Sequence, residues 1–246
     1  MIKIERIARP EKLTEDVVRV LTEKYRQTKR AVWNKDYIKE KLLEMTHHKC
    51  CYCETSLDVS GNYMEVEHFY PKSCFPDRVV DWANLLPSCK RCNIKKGDIN
   101  PEKISLINPT INDPKQHFKL DRFRIKGIDE VGKNTIKSLN LNDLEKLMLV
   151  RMKIAEALIN KIEDINDLLE DTGVRQNTMK CLQIRNSLHD ILEAVQPNKN
   201  YSATLSSILL NDENYNNIKQ WLQEEQLWDN ELDNMDAVAN DIALKI

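Results

Sequence analysis

Glycine is scarce in this chain, with only 5 among 246 residues. With so little glycine, and with leucine, isoleucine, lysine and glutamate abundant, the chain is expected to be mostly helical. Neither sign of charge is in excess. The formal net charge of −2 excludes a general polycation, so any affinity for nucleic acid has to come from a local patch. The opening MIKIERIARPEK holds no long apolar run, so neither a signal peptide nor a membrane span is expected there, and the expected location is cytoplasmic. No internal repeat and no low-complexity linker occur. The length admits one large domain, or a small one with helical additions, with a sizeable core.

What is present is concentrated between His47 and Asp98. Two Cys-x-x-Cys knuckles, Cys50/Cys53 and Cys89/Cys92, bracket 35 residues. Thiolates two residues apart grip one ion from a tight turn, and two such turns supply the four soft ligands that structural zinc prefers. With no export signal, paired cysteines read as metal ligands rather than disulfides. The spacing exceeds that of a simple zinc ribbon, so a substructure must be inserted between the knuckles. The active site is expected in that insertion. With all four zinc positions filled by sulfur, the zinc is expected to be structural.

The order C-x-Y-C-E, E-V-E-H-F-Y-P-K-S, W-A-N-L and C-K-R-C-N-I-K-K-G resembles the HNH endonuclease family. Together with the tail, it is more narrowly similar to the HNH subunits of Septu and retron-linked anti-phage systems. The resemblance implies an α+β, predominantly α-helical protein: a zinc-stapled ββα-metal core with N- and C-terminal helical additions. It implies His68 as general base, Asn84 as the asparagine bracing the histidine loop, and Asn93 as the last letter of the motif. Glu67 would share a catalytic Mg²⁺ or Mn²⁺ with Asn93. The sequence departs from the pattern twice, since the acid is more often Asp and the last letter often His. Both replacements keep an oxygen for a hard cation. An ABC-type ATPase partner comes from the resemblance alone.

Three segments follow: 1–46, an N-terminal strand and helices; 47–104, the zinc-stapled core; and 105–246, a hairpin plus helices. Met1 to Pro10 alternates imperfectly and suits a short edge strand. Thr14 is a plausible N-cap for a helix reaching Trp33, and Asn34 can cap a second one. Ser60-Gly61-Asn62 is turn chemistry, and Tyr63 to Phe69 alternates as a strand. Strict alternation puts His68 on one face and Glu65 and Glu67 on the other. Either the strand breaks at Glu67 and His68 or the metal ligand is approached from a different side, and Glu65 stays in reserve. Lys90, Arg91, Lys95 and Lys96 form a basic cluster placed to meet phosphates, against the blander reading of a solvated helix face.

Beyond the core, His117 to Ile128 can form a hairpin around Gly127. Helices are expected over Leu139 to Leu169, over Arg175 to Val195, and from Tyr201 onward. The tail from Asn211 carries nine acidic residues against two lysines, which would repel nucleic acid. Its apolar positions fit either a partner-docking helix or one that closes the protein's own core.

Three functions compete. The first is a metal-dependent endonuclease hydrolysing nucleic-acid phosphodiesters, DNA ahead of RNA, as the effector of an anti-phage system acting with the ATPase; an RNA-cleaving effector, for example on tRNA, is its variant. The second is a catalytically silent zinc-dependent nucleic-acid-binding module. The third is a structural adaptor built around the helical tail.

Overall fold

The computed structural model describes residues 1–57, 63–169 and 173–246, so the Ser60-Gly61-Asn62 turn lies outside the described residues. Two compact units divide the chain. The first comprises residues 1–117 and 127–141, so the segment 1–46 shares a unit with the core 47–104. The second comprises 118–126 and 142–246.

In the first unit, α1 (Glu15–Thr28) starts where Thr14 Oγ1 accepts the Val17 N–H at 3.3 Å, the N-cap the sequence predicts. It stops at Lys29, which turns left-handed and returns its N–H to the Tyr25 carbonyl. The next helix, α2 (Asp36–Met45), follows Lys35, which gives no side-chain cap, rather than Asn34. It buries Ile38, Leu42 and Met45 and delivers the chain to the first knuckle. β1 (Met64–His68) and β2 (Leu85–Cys89) then pair antiparallel, with Glu67 opposite Leu86 and His68 opposite Leu85. α3 (Lys90–Lys96) follows at once, completing a ββα unit. The strand therefore does not break at Glu67 and His68, since pairing runs through both.

Residues 1–10 contain no strand. Their polar side chains determine the path instead. Arg6 donates to the carbonyls of Trp82, Leu85 and Ala83 at 2.7, 2.8 and 3.2 Å, and Trp82 Nε1 donates back to the Ile7 carbonyl at 2.9 Å. The isoleucines alternate only imperfectly, and the guanidinium's bonds to three carbonyls of the 82–85 turn hold the segment without a strand ladder.

β3 (Phe118–Asp121) and β4 (Arg124–Gly127) turn at Arg122, which adopts φ 54°, rather than at Gly127. Gly127 serves close packing: a Cβ there would lie 2.3 Å from the Lys133 nitrogen. α4 (Glu130–Leu139), capped by Asp129, was not anticipated.

The second unit is helical. A π-turn at Leu144–Met148 leads into α5 (Leu149–Leu169), so the long helix expected from Leu139 begins a full turn and more later. α6 (Thr178–Ala194), α7 (Ser202–Leu210), α8 (Glu213–Glu224) and α9 (Asn230–Ile242) complete it. Tyr215, Ile218, Trp221, Leu222, Leu232 and Ala239 enter one apolar cluster with Leu158, Ile162, Ile184 and Leu188. The tail's apolar positions thus close the unit's own core, which leaves its acidic residues, apart from the buried Asp236, off the apolar face of amphipathic helices.

Candidate active site and zinc centre

The zinc centre is built by two tight turns. At the first knuckle, Cys50 donates its N–H to the Thr55 carbonyl at 2.9 Å and Glu54, at φ 61°, donates to the Cys50 carbonyl at 3.0 Å. At the second, Cys89 ends β2 and caps α3, its sulfur accepting the Cys92 N–H at 3.5 Å. The four cysteines are buried, and their sulfurs lie within 4.8 Å of one another. Cys53 Sγ and Cys89 Sγ are 3.7 Å apart. A tetrahedron with metal–sulfur bonds of about 2.3 Å has edges of about 3.8 Å. The four thiols therefore fit a zinc ion, and they leave it no open position.

The hairpin and helix that this staple joins carry the other motif residues. On β1, Glu65 and Glu67 share a face by the two-residue period. On α3, Asn93 and Lys96 are three apart and share a face by the helical period. The two faces meet in consecutive pairs. Asn93 Nδ2 donates to Glu65 Oε2 at 2.5 Å. Lys96 Nζ lies 2.7 Å from Glu67 Oε1, an ion pair without the in-line geometry of a hydrogen bond, and donates to the His68 carbonyl at 2.8 Å. Lys96 is 1% exposed, so it is not part of a solvent-facing basic patch. Helical phase turns it inward together with Asn93. Arg91 is also fastened, its guanidinium reaching the Asn140 carbonyl and Cys92 Sγ. Lys90 and Lys95 remain exposed.

His68, the last residue of β1, is buried. Its Nε2 sits 2.9 Å from the Val79 carbonyl. A carbonyl only accepts, so Nε2 carries the proton and Nδ1 keeps its lone pair. Burial lowers the imidazole pKa to about 4, and positive Lys72 and Lys96 add to the shift against the pull of the Val79 carbonyl. The ring is therefore neutral near pH 7. Glu67 moves the other way. Burial raises it to about 7, against the influence of Lys96 and Lys72.

Asn84 ends a short 3₁₀ turn and is fully buried. Its Oδ1 accepts the Tyr70 N–H at 2.7 Å, and its Nδ2 donates to the carbonyls of Tyr70 and Arg78 at 3.0 and 2.9 Å. These bonds tie the exit of β1 to the segment that presents the Val79 carbonyl to His68. Glu67, His68 and Asn93 line one cleft of about 170 Å³ with Pro71, Lys72, Gly97 and Asp98. Asn84 stands behind the cleft.

Sequence reasoning missed two contributors, Trp33 and Lys72, and kept Glu65 only as a reserve metal ligand. Trp33 lies against His68, with ring centroids 4.7 Å apart at 82°. Lys72 lines the cleft, and Glu65 holds the Asn93 amide. The P-K-S motif contained Lys72 without indicating its direction, and nothing local marks Trp33, which is 35 positions from His68.

A hairpin and helix joined at a four-thiol site, with a histidine and one asparagine on a cleft and a second asparagine behind it, define an HNH-type nuclease domain. The HNH endonuclease family model matches residues 50–98. Two relatives extend the likeness beyond it. The Septu protein PtuB of Bacillus thuringiensis is 41% identical over 94% of this chain and 90% of its own length. The Septu protein PtuB of Bacillus mycoides strain KBAB4 is 26% identical over 85% of this chain and 89% of its own. The chain belongs to the Septu PtuB family. Among the described residues, no helix is long and apolar enough to cross a membrane.

Proposed function

We propose that this protein is a metal-dependent endonuclease that hydrolyses nucleic-acid phosphodiesters, with DNA ahead of RNA. We place it in the cytoplasm as the nuclease effector of an anti-phage defence system acting with an ABC-type ATPase. The observation that carries the reading is the one cleft lined by Glu67, His68 and Asn93, with His68 Nε2 held at 2.9 Å by the Val79 carbonyl.

Hydrolysis needs a base for the attacking water and neutralisation of the charge gained at phosphorus. His68 Nδ1 is the base, because its lone pair is free and the ring is unprotonated at working pH. Asn84 keeps the Tyr70 and Arg78 backbone in register, so the imidazole cannot swing. Asn93 donates its amide nitrogen to Glu65, which leaves its carbonyl oxygen for the cleft. On this reading Glu65 is the brace and Glu67 the ligand. The Glu67 carboxylate and Asn93 carbonyl are hard oxygen donors that fit Mg²⁺ or Mn²⁺. When bound, such an ion neutralises the scissile phosphate and the departing oxygen. Lys90 and Lys95 are the exposed basic contacts of α3.

The test is cleavage of supercoiled plasmid, linear DNA and total RNA by wild type and His68→Ala, with Mg²⁺, Mn²⁺ or EDTA, and with and without the ATPase. Loss of a general base costs about 10²–10⁴-fold. The reading requires metal-dependent cleavage that falls by that factor in His68→Ala. Cleavage of RNA alone would move the assignment to the RNA effector. A zinc-loaded wild type inert toward every substrate would favour the silent binding module.

A further inference from the structure

The cleft has a wall that its motif residues do not account for. Trp33 belongs to the connection between α1 and α2, outside the stretch matched by the HNH family model. Its indole packs in a cluster with Tyr25, Val32, Val79 and Val80. Val79 is the residue whose carbonyl holds His68 Nε2. The indole thus touches His68 directly, and it packs against the chain segment that orients His68 from the other side. Lys72 Nζ rides over the same indole, 5.2 Å from the ring centroid.

Lys72 differs from the four cations that the sequence marks on α3. Lys96 is ion-paired to Glu67, Arg91 is held by Asn140 and Cys92, and Lys90 and Lys95 do not line the cleft. Lys72 does line it, and among the described residues it makes no ion pair within 4.0 Å. An indole face attracts an ammonium without neutralising it, because the ring quadrupole leaves the full charge and the N–H donors available. A cation kept in place but left unpaired, in the same cleft as a neutral base, suits an anionic ligand.

We propose that Lys72 is the substrate-phosphate contact of this cleft, and that Trp33 is a positioning residue which holds both the Lys72 ammonium and the His68 imidazole. The proposal rests on the nuclease reading above and adds to it the residue that meets the non-bridging phosphate oxygens. A segment preceding the zinc-stapled core thereby completes the site.

The experiment uses full-length Lys72→Met, Lys72→Arg, Trp33→Leu and Trp33→Phe, with Lys24→Met as an exposed-lysine control of equal charge change. Zinc content and thermal unfolding are recorded for each. Binding of a labelled 20-nucleotide DNA strand and its duplex is measured against salt in a His68→Ala background, so that it does not depend on cleavage. Removing one phosphate contact flattens the slope of log affinity against log salt by about 0.7 for the strand and about 0.9 for the duplex. Lys72→Met should show that loss and a fall of about 10–100-fold in kcat/KM on plasmid, as expected for one charge-assisted contact. Lys72→Arg should restore most of both. Trp33→Leu should lower kcat as well as flatten the slope, and Trp33→Phe, which keeps an aromatic face, should recover part of each.

If wild type cleaves and Lys72→Met matches Lys24→Met in slope and in kcat/KM, the inference falls and the nuclease reading stands. If wild type binds with a slope that Lys72→Met flattens yet never cleaves, the nuclease reading falls and the phosphate contact stands. A wild type that neither binds nor cleaves overturns both.

Discussion

The two units bury different chemistry. In the first unit, the buried side chains include four cysteines, Lys49, Glu54, Glu67, His68, Asn84 and Lys96. In residues 142–246 the buried set is mainly leucine and isoleucine, and its buried polar side chains are fewer: Arg151, the hydroxyls of Ser202, Thr204, Ser206 and Ser207, and Asp236, which accepts from Tyr215 and from Lys219 at 2.7 Å. Apolar burial of that kind is non-directional and sums over area. The polar interior of the first unit is directional, and each member depends on its partners. A buried Lys96 against Glu67 is weak evidence for stability, since desolvating two charges offsets most of their attraction. Its retention beside a neutral histidine and a braced asparagine makes sense as site architecture. The first unit thus leans more on directional bonds and on a four-cysteine site that fits zinc, and the second more on packing.

The comparison breaks most sharply at Asn84. Asn84→Ala strands one N–H and two carbonyls in a buried place, at about 1–3 kcal/mol each. The expected loss is roughly 3–5 kcal/mol in the unfolding of the first unit, together with a large drop in cleavage, read by urea unfolding and by plasmid nicking. In the second unit, Leu188→Ala removes a fully buried side chain and should cost about 3 kcal/mol through lost transfer energy and a cavity. That variant should keep its zinc and the metal dependence of its cleavage, which metal analysis and the same nicking assay check.

The smallest effect is on pH. Folding lowers His68 from an unfolded value of about 6.5 to about 4. Its stabilisation is present above pH 6.5 and is lost as pH falls toward 4, amounting to about 3 kcal/mol. Folding raises Glu67 from about 4.5 to about 7, so its contribution is present below pH 4.5 and is lost as pH rises through 7, with a similar size. The two oppose each other between about pH 4.5 and 6.5, and their net effect on wild type there should be nearly flat. Glu67→Gln should uncover the histidine slope, with stability rising by about 3 kcal/mol from pH 4 to 6.5 in urea titrations.

How far the sequence carries the reader differs by residue. The zinc ligands were legible because their spacing is local and the chemistry of four thiols is specific. His68 and Asn84, between the knuckles, and Asn93, directly after the second, were legible as candidates from their order. The facing of Arg91 and Lys96 was not, because helical phase within seven residues depends on which side of α3 meets β1. Trp33 was invisible for a related reason, since its contact with His68 exists only after two helices have packed. Ile2, Ile4 and Ile7 imitated a strand, but Arg6 found carbonyls in a turn 76 positions away. The π-turn at Leu144–Met148 keeps apolar spacing close to that of an α-helix, so periodicity alone ran the helix through it.

The most direct test of this division is hydrogen exchange on the zinc-loaded protein and on protein stripped of zinc. Structural zinc contributes about 10–16 kcal/mol of apparent folding free energy in small zinc domains, so the first unit should not survive its loss. The account predicts that amides of β1, β2 and α3 lose protection on stripping, while those of α5 to α9 retain theirs. Simultaneous loss of protection in both units, or survival of the β1–β2 ladder without zinc, would contradict it.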